Sequence, residues 1–438
     1  MNWFQSYTKC FEISQKNTIS FVTFAFKFQK NMSNYQKIQI KDNKSSSILR
    51  RHHWLFSGAI HQMSKDLAEG ELVDIFSNKT YLATGHFQPH SSIAVRILSF
   101  EQTAIDANFF IKKFDKALNY RRLLGFLDNN PSTNVFRLIN GEGDELPGLI
   151  IDFYNGTAVV QCHSVGMYLH RTDIVEALKT VLGNDLKAIF DKSADTLPHK
   201  STASQETNKT NDYLFGSMTD NVVLENGHSF VVDWEQGQKT GFFIDQRFNR
   251  ELLGRYCEGK NVLNAFCYSG GFSVYAAKMG AKSVLSIDSS QKAIDLTVRN
   301  MALNGFDEHI RYANKTDDVM DYLKIDRGNT DYEQFDVIVI DPPAFAKHID
   351  QRHQAIKGYT RLNEMAIRRI SDTGGFIFTF SCSQVVDRER FEGSILAAAI
   401  NAKRTVKIVH RLSSPADHPV NIFHPEGDYL KGLVLYVE

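Results

Sequence analysis

Between Lys37 and Phe100, apolar and polar positions alternate with period two in four short runs: "KIQIK", "GELVDIF", "TYLATGHF" and "SIAVRILSF". Glycine, asparagine and proline punctuate them. Alternation puts every second side chain on one face of a strand, so the spacing predicts a small, mostly β module. The period then changes. In "DANFFIKKFDKALNYRRLLGFL" the apolar residues recur at three and four, the signature of a helix with one buried side. "VFRLINGEGDELPGLIIDFYNGTAVVQCH" reads as two strands around a Gly-rich turn, and "MYLHRTDIVEALKTVLG" as a second helix. Together they predict a central α+β unit.

From Ser193 to Asn221 the chain is poor in apolar residues and rich in Ser, Thr, Asn and Lys, which reads as a flexible loop. After it, strands and helices alternate: "NVLNAF", a helix from Gly271, "SVLSID", a helix from Gln291, "FDVIVID", a helix near Tyr359 to Ile370, then "GGFIFTFS". Strands this continuously apolar belong to a parallel sheet covered on both faces. The last two runs, "TVKIVHRL" and "KGLVLYVE", have no helix of usual length between them, so one is expected to run antiparallel.

Composition narrows the partners. The chain has 438 residues, enough for two or three domains. Its 50 basic and 50 acidic side chains cancel, so any nucleic-acid site must be a local patch. The five cysteines (Cys10, Cys162, Cys257, Cys267, Cys382) form no CxxC pair, which suggests neither a disulfide framework nor a zinc site, and no metal is expected. A reducing cytoplasm is the simplest compartment. No apolar run is long enough to span a bilayer, so no membrane partner is expected. "TISFVTFAFKF" is too short and lacks a cleavage site, and residues 1–35 read as an N-terminal extension.

The chemistry concentrates in the second half. "NVLNAFCYSGGFSVYAAKMGA" is a strand, a turn with Ser269, Gly270 and Gly271, and a helix, the arrangement by which doubly wound folds bring backbone amides to a ligand. Its spacing is not GxGxxG, so a dinucleotide is not favoured. About twenty residues on, "SVLSID" ends in Asp288, placed to accept hydrogen bonds from ribose hydroxyls. With "DPPAF" after a later strand, the set resembles the class I S-adenosylmethionine-dependent methyltransferases. "WEQGQKTGFFIDQRFNR", "DVIVIDPPAFAK", "FTFSCS" and "ADHPV...PEGDYLKGL" then resemble, in order and spacing, the large-subunit ribosomal RNA cytosine-5 methyltransferases of the Escherichia coli type. "LRRHHWLFSGAI" and "GELVDIF" look like that family's N-terminal PUA domain, and "LINGEGDELPGLIIDFY" like its central domain.

The resemblance implies an α/β fold: a Rossmann-like class I methyltransferase domain (226–438) behind a mostly β PUA-like RNA-binding domain (36–104) and a central α+β domain (105–225, with the loop at 193–221). It implies S-adenosylmethionine as cofactor, held by Ser269, Gly270, Gly271, Asp288 and Asp317, with Gln246 and Arg247 in the cofactor-side segment. Asp318 is the neighbour of Asp317 that could take its place. Carbon 5 of cytosine is a poor nucleophile until a thiolate adds at carbon 6, so Cys382, just past a strand end, is the expected nucleophile. Asp341 is the expected acid or hydrogen-bond partner of the base, beside Pro342, Pro343, Phe345 and Lys347 as substrate contacts. The alternative for Asp341 is a helix N-cap, and for Arg247 a surface salt bridge.

Arg50, Arg51, His52, His53 and Trp54 form a basic cluster ending in an aromatic, suited to phosphate contact and base stacking. The expected partner is large-subunit ribosomal RNA, with a homodimer left open. Two rival readings are methylation of an exocyclic base amine, which needs no thiol, and a non-catalytic RNA-binding assembly factor.

Overall fold

Ile38 and Ile40, Val73 and Ile75, and Val95 and Ile97 are spaced two apart in three strands, and all six are buried in one core. The computed structural model describes residues 35–89, 91–127, 130–197, 210–306 and 312–438. The apolar run "TISFVTFAFKF" and the extension around it lie outside these residues. The first sheet has six strands in the order Trp54–Phe56, Ile93–Ser99, Thr80–Phe87, Leu72–Ser77, Gln36–Ile40, Ile60–Gln62. Each of the four alternating runs is one of them. The two three-residue strands are too short to carry a period, so the sequence pattern does not mark them.

The second sheet runs Asp212–Phe215, Ala188–Asp191, Thr157–Cys162, Leu149–Tyr154, Val135–Asn140. Two expectations need correcting here. The Gly-rich segment holds three strands and not two, because Asn155 (φ 46°) and Gly156 (φ 103°) make a tight hairpin that pairs Tyr154 with Thr157. Positive φ at both turn positions is what an Asn-Gly pair supplies. The stretch from Ser193 to Asn221, expected to be a loop, is also partly structured. Asp212–Phe215 pairs antiparallel with Ala188–Asp191, and Ser193 is buried, accepting from the Cys162 amide at 2.9 Å and donating to Asp191. Residues 198–209 of that stretch lie outside the described set. The helix Ala107–Leu123 starts at Asp106, whose carboxylate accepts from the Phe109 amide at 3.0 Å.

A boundary at Glu225 would fall in the turn of the hairpin Val222–Glu225 and His228–Val231. Val223, Phe230 and Val232 of that hairpin share a core with Val262 of the last sheet and with Val135 and Tyr154 of the central one. The central and C-terminal parts are therefore packed through common apolar side chains.

The third large sheet has seven strands in the order Tyr312–Thr316, Ser283–Asp288, Asn261–Ala265, Val337–Ile340, Gly375–Ser381, Lys431–Val437, Val406–Leu412. Lys431–Val437 runs antiparallel to both of its neighbours, as the missing helix implied. In "VIVI", Val337 and Val339 enter the core beneath Phe272 and Tyr275, while Ile338 and Ile340 enter a different core with Tyr359 and Leu362. That is why the strand reads as unbroken apolar residues. One of the covering helices is Arg352–Arg368, which begins a turn or two before the expected Tyr359.

Candidate active site

The carboxyl ends of the central parallel strands gather most of the singled-out residues. Between Asn261–Ala265 and the helix Gly271–Lys278, the turn contains three left-handed residues: Phe266 (φ 61°), Tyr268 (φ 46°) and Gly270 (φ 73°). For bulky side chains this region is unfavourable, so the surroundings must hold the turn in place. They do: Asp288 Oδ2 accepts from the Tyr268 amide at 3.0 Å, and Asn300 Nδ2 donates to the Ser269 carbonyl at 2.8 Å. A Cβ on Gly270 would stand 2.6 Å from Thr297 Cγ2. Buried Cys267 belongs to this turn, its thiol 3.6 Å from the Thr297 hydroxyl and pushed up to about 12 by burial, the setting of a packed thiol.

Asp317 follows the next strand, and its amide donates to the Asp288 carbonyl at 3.0 Å. Lys315, 2.8 Å away, holds its carboxylate below the ordinary range. Asp318 is committed elsewhere, accepting from the Asp321 amide as the N-cap of the helix Val319–Leu323. Asp317 is engaged as well: its Oδ1 accepts from the Asp318 amide at 2.8 Å and its Oδ2 meets Lys315. The turn, Asp288 and Asp317 thus lie on three adjacent strand ends. Amides at a helix start, with carboxylates beside them, suit a nucleoside that carries hydroxyls and an amine.

Val337–Ile340 and Gly375–Ser381 are neighbouring parallel strands, with Ile340 opposite Thr379. Asp341 and Cys382 follow their ends. Gln246 Nε2 donates to Asp341 Oδ2 at 3.0 Å. Burial, and then the charge of Asp245, raise the Asp341 carboxyl to about 7. No helix starts directly after it, so the N-cap alternative does not hold. Among the described residues, Cys382 alone of the cysteines is not fully buried. Its thiol is pushed up by burial and by Asp341, with Lys239 acting the other way. Ser383 fixes the backbone beside it: its Oγ donates to the Ala346 carbonyl at 2.7 Å, and Lys431 Nζ donates to the Ser383 carbonyl at 3.0 Å. Pro342 is buried, whereas Pro343 and Lys347 are exposed. Phe345 lies against Tyr359, ring centroids 4.7 Å apart, so one side of its ring is covered.

Cys382 opens into a cavity of about 460 Å³ whose other walls include Trp54, Arg137, Glu142, Lys239 and Tyr429. All three parts of the chain contribute to it. Trp54 Nε1 donates to Glu142 Oε1 at 2.7 Å, which fixes the indole in the wall. Arg50 and His52 line a second cavity of about 490 Å³, and both cavities include Glu426. Arg50 and Arg51 are exposed; His53 is not, being turned into the β module with Nδ1 2.9 Å from the Ile97 carbonyl.

Arg247 is not a surface residue. Its guanidinium is 1 % exposed, donates to the Val135 carbonyl at 2.6 Å, and meets Asp417 at 3.2 Å and Glu225 at 3.4 Å. Arg250 forks onto the same Glu225 at 2.8 and 2.7 Å. Asp245 is a residue that sequence reasoning misses. Although burial alone would raise its carboxyl, Lys239, His418 and the Tyr429 hydroxyl at 2.6 Å hold it well below the ordinary range. Its Oδ1 is buried with no hydrogen-bond partner among the described residues, leaving an acceptor for a cationic or N–H group. Its partners reveal it, Lys239 six residues before it and Tyr429 184 residues after it.

Comparisons with known proteins identify two of the domains and the family. Residues 38–100 match a PUA-like domain, and residues 202–421 match the S-adenosylmethionine-dependent methyltransferase family. The chain is 38% identical over 405 residues to the ribosomal RNA large subunit methyltransferase I of Alteromonas mediterranea, covering 92% of this chain and 98% of that one. It is 37% identical over 409 residues to the Escherichia coli protein of the same name, covering 92% and 99%. A solved S-adenosylmethionine-dependent methyltransferase from Streptococcus mutans superposes with a TM-score of 0.77 at 24% identity, covering 92% and 100%. Another solved methyltransferase, complexed with SAH, gives 0.78 over the same shares. No helix among the described residues is long and apolar enough to cross a membrane.

Proposed function

The chain belongs to the family of the ribosomal RNA large subunit methyltransferase I proteins, S-adenosylmethionine-dependent enzymes, and from that premise we propose that it forms 5-methylcytosine in large-subunit ribosomal RNA through Cys382. The observation that carries the reading is that Cys382 and Asp341 follow the ends of adjacent strands, with Cys382 in the wall of a cavity shared by all three parts of the chain.

S-adenosylmethionine supplies an electrophilic methyl group when bound. Ser269, Gly270, Gly271, Asp288 and Asp317 would hold its adenosine, and the unpaired Asp245 Oδ1 suits its ammonium. The target cytosine must be unpaired or flipped to reach the thiol. Asp341, its carboxyl raised to about 7, can carry a proton near neutral pH and donate to ring nitrogen 3 as sulfur adds to carbon 6. That addition makes carbon 5 enamine-like, so it could take the methyl group that bound S-adenosylmethionine would supply, the sulfonium sulfur keeping the electron pair of the broken bond and leaving as S-adenosylhomocysteine. Loss of the carbon 5 proton to a basic group or water of the cleft expels the thiolate, and nitrogen 3 returns its proton to Asp341. Burial and the Asp341 charge push the Cys382 thiol up and Lys239 draws it down, so the charge balance around the sulfur governs its activation.

Gln246 acts on Asp341 in this account and not on the cofactor directly. Pro342 and Pro343 stiffen the turn after Asp341, with Phe345 and Lys347 on the substrate side. Arg50, Arg51 and Trp54 extend the RNA path from the β module to the cleft, which makes residues 38–100 the guide and the seven-stranded part the catalyst. Methyl transfer to ribosomal RNA followed by nucleoside mass spectrometry tests the reading. 5-Methylcytidine is expected; N4-methylcytidine, or transfer that survives Cys382→Ala, would favour chemistry at an exocyclic amine.

A further inference from the structure

The β module and the C-terminal part meet at a cluster that the methyl-transfer chemistry does not use. His52 comes from the segment before the strand Trp54–Phe56; His424 and Glu426 come from the loop leading into the last-but-one strand of the seven-stranded sheet. One ligand atom of each lies within 4.8 Å of the other two. His52 Nε2 is 3.3 Å from both oxygens of Glu426, and His424 Nδ1 is 3.8 Å from Glu426 Oε2.

Those separations are long for hydrogen bonds, which prefer about 2.7–3.0 Å. The two His52–Glu426 separations match the edge of a tetrahedron built from bonds of about 2.0–2.1 Å, roughly 3.3 Å, and the His424–Glu426 separation of 3.8 Å is longer, so His424 must close in on an ion. His424 adds an independent observation. Its side chain is 1 % exposed, and Nδ1 has no hydrogen-bond partner among the described residues. A buried nitrogen without a partner carries a desolvation cost that a bound cation would remove. The contacts of its other ring nitrogen fix the His52 ring: Nδ1 accepts from the Trp54 amide at 3.2 Å and lies 3.3 Å from the Trp54 carbonyl, which turns Nε2 toward Glu426.

We propose that His52, His424 and Glu426 form a binding site for one Zn²⁺ ion, with water in the remaining position, joining the β module to the catalytic part at the rim of the cleft. Two imidazoles and a carboxylate suit a borderline divalent ion, and three protein ligands leave one tetrahedral position open. The Glu426 side chain is 46% exposed and faces both cavities, which provides the entry path. Sequence spacing predicts no metal because the cysteines form no ligand pattern; a His-x-Glu pair and a histidine 372 residues earlier give no local signature.

The test uses the full-length chain stripped with a chelator, dialysed, and titrated with Co²⁺ as a spectroscopic stand-in and then with Zn²⁺. One equivalent of Co²⁺ with the intense visible bands of tetrahedral geometry is expected, displaced by Zn²⁺, together with a Zn²⁺-dependent rise in Tm. His52→Gln and Glu426→Gln should each weaken binding at least tenfold while S-adenosylmethionine still binds, which checks that the variants are folded. Less than a tenth of an equivalent bound by the wild-type chain at micromolar free ion would overturn the site, whatever the variants do. So would stoichiometric binding that both variants retain.

Discussion

Gln246 Nε2 donates a 3.0 Å hydrogen bond to Oδ2 of Asp341, and this contact opposes the burial and the Asp245 charge that raise the Asp341 carboxyl. Because the carboxyl is raised to about 7 from an ordinary value of 3.8, the folded protein binds more protons than the unfolded chain between those limits. Stability linked to Asp341 therefore falls as pH rises from about 4 to about 7, and the penalty is fully present above that. Asp341→Asn removes the charge. Its stability should match wild type near pH 4 and exceed it at pH 8 by on the order of 2–4 kcal/mol, since a tenfold change in proton affinity corresponds to about 1.4 kcal/mol. Urea unfolding at both pH values measures it. In the same variant, methyl transfer should fall by about 10²–10⁴-fold, the usual contribution of a positioned acid.

Glu225 is the hub of a buried ion network. It accepts two hydrogen bonds from Arg250, one from the Tyr275 hydroxyl at 3.1 Å, and stands 3.4 Å from Arg247. Glu225→Gln leaves guanidinium charge buried without its counterion, which costs about 3–5 kcal/mol. Chemical denaturation should show that loss.

Gly270 occupies φ 73° and has no room for a methyl group against Thr297. Gly270→Ala should cost about 1–3 kcal/mol of stability through strain in the turn. If the turn holds the cofactor, calorimetric affinity for S-adenosylmethionine should drop with it, while RNA affinity stays unchanged.

Much of this architecture is legible in the sequence because it depends on local period. The four alternating runs and the βα repeats follow from where apolar residues fall, and the singled-out Asp341 and Cys382 follow strand ends that the apolar runs mark. What escapes depends on partners far along the chain. The short strand Asp212–Phe215 has only four residues, inside a polar stretch, and gains order by pairing with Ala188–Asp191. Arg247 looks like a ligand residue because its neighbours resemble a cofactor segment, but Glu225 and Asp417 claim it. Asp245 sits one residue before Gln246 and stays hidden, since nothing local distinguishes an ionised carboxylate with an open oxygen from a surface acid.

Arg50 and Arg51 are exposed beside the cavity that reaches Glu426. If they contact phosphates, the double substitution to alanine should weaken RNA binding at low salt and make the dependence of log affinity on log salt shallower by roughly 1.4–1.8, at about 0.7–0.9 per phosphate contact. Filter binding across a salt series gives the slope, and an unchanged slope would place the RNA path elsewhere.

The central claim is that Cys382 bonds to carbon 6 of cytosine. The most direct measurement is incubation of the enzyme with S-adenosylmethionine and ribosomal RNA containing 5-fluorocytidine, followed by mass spectrometry of the digested protein. Fluorine at carbon 5 cannot leave as a proton, so the methylated intermediate should stay attached to the peptide carrying Cys382, and Cys382→Ala should give no adduct. Production of 5-methylcytidine on ordinary RNA without any trapped adduct, or with the adduct on another residue, would contradict the account.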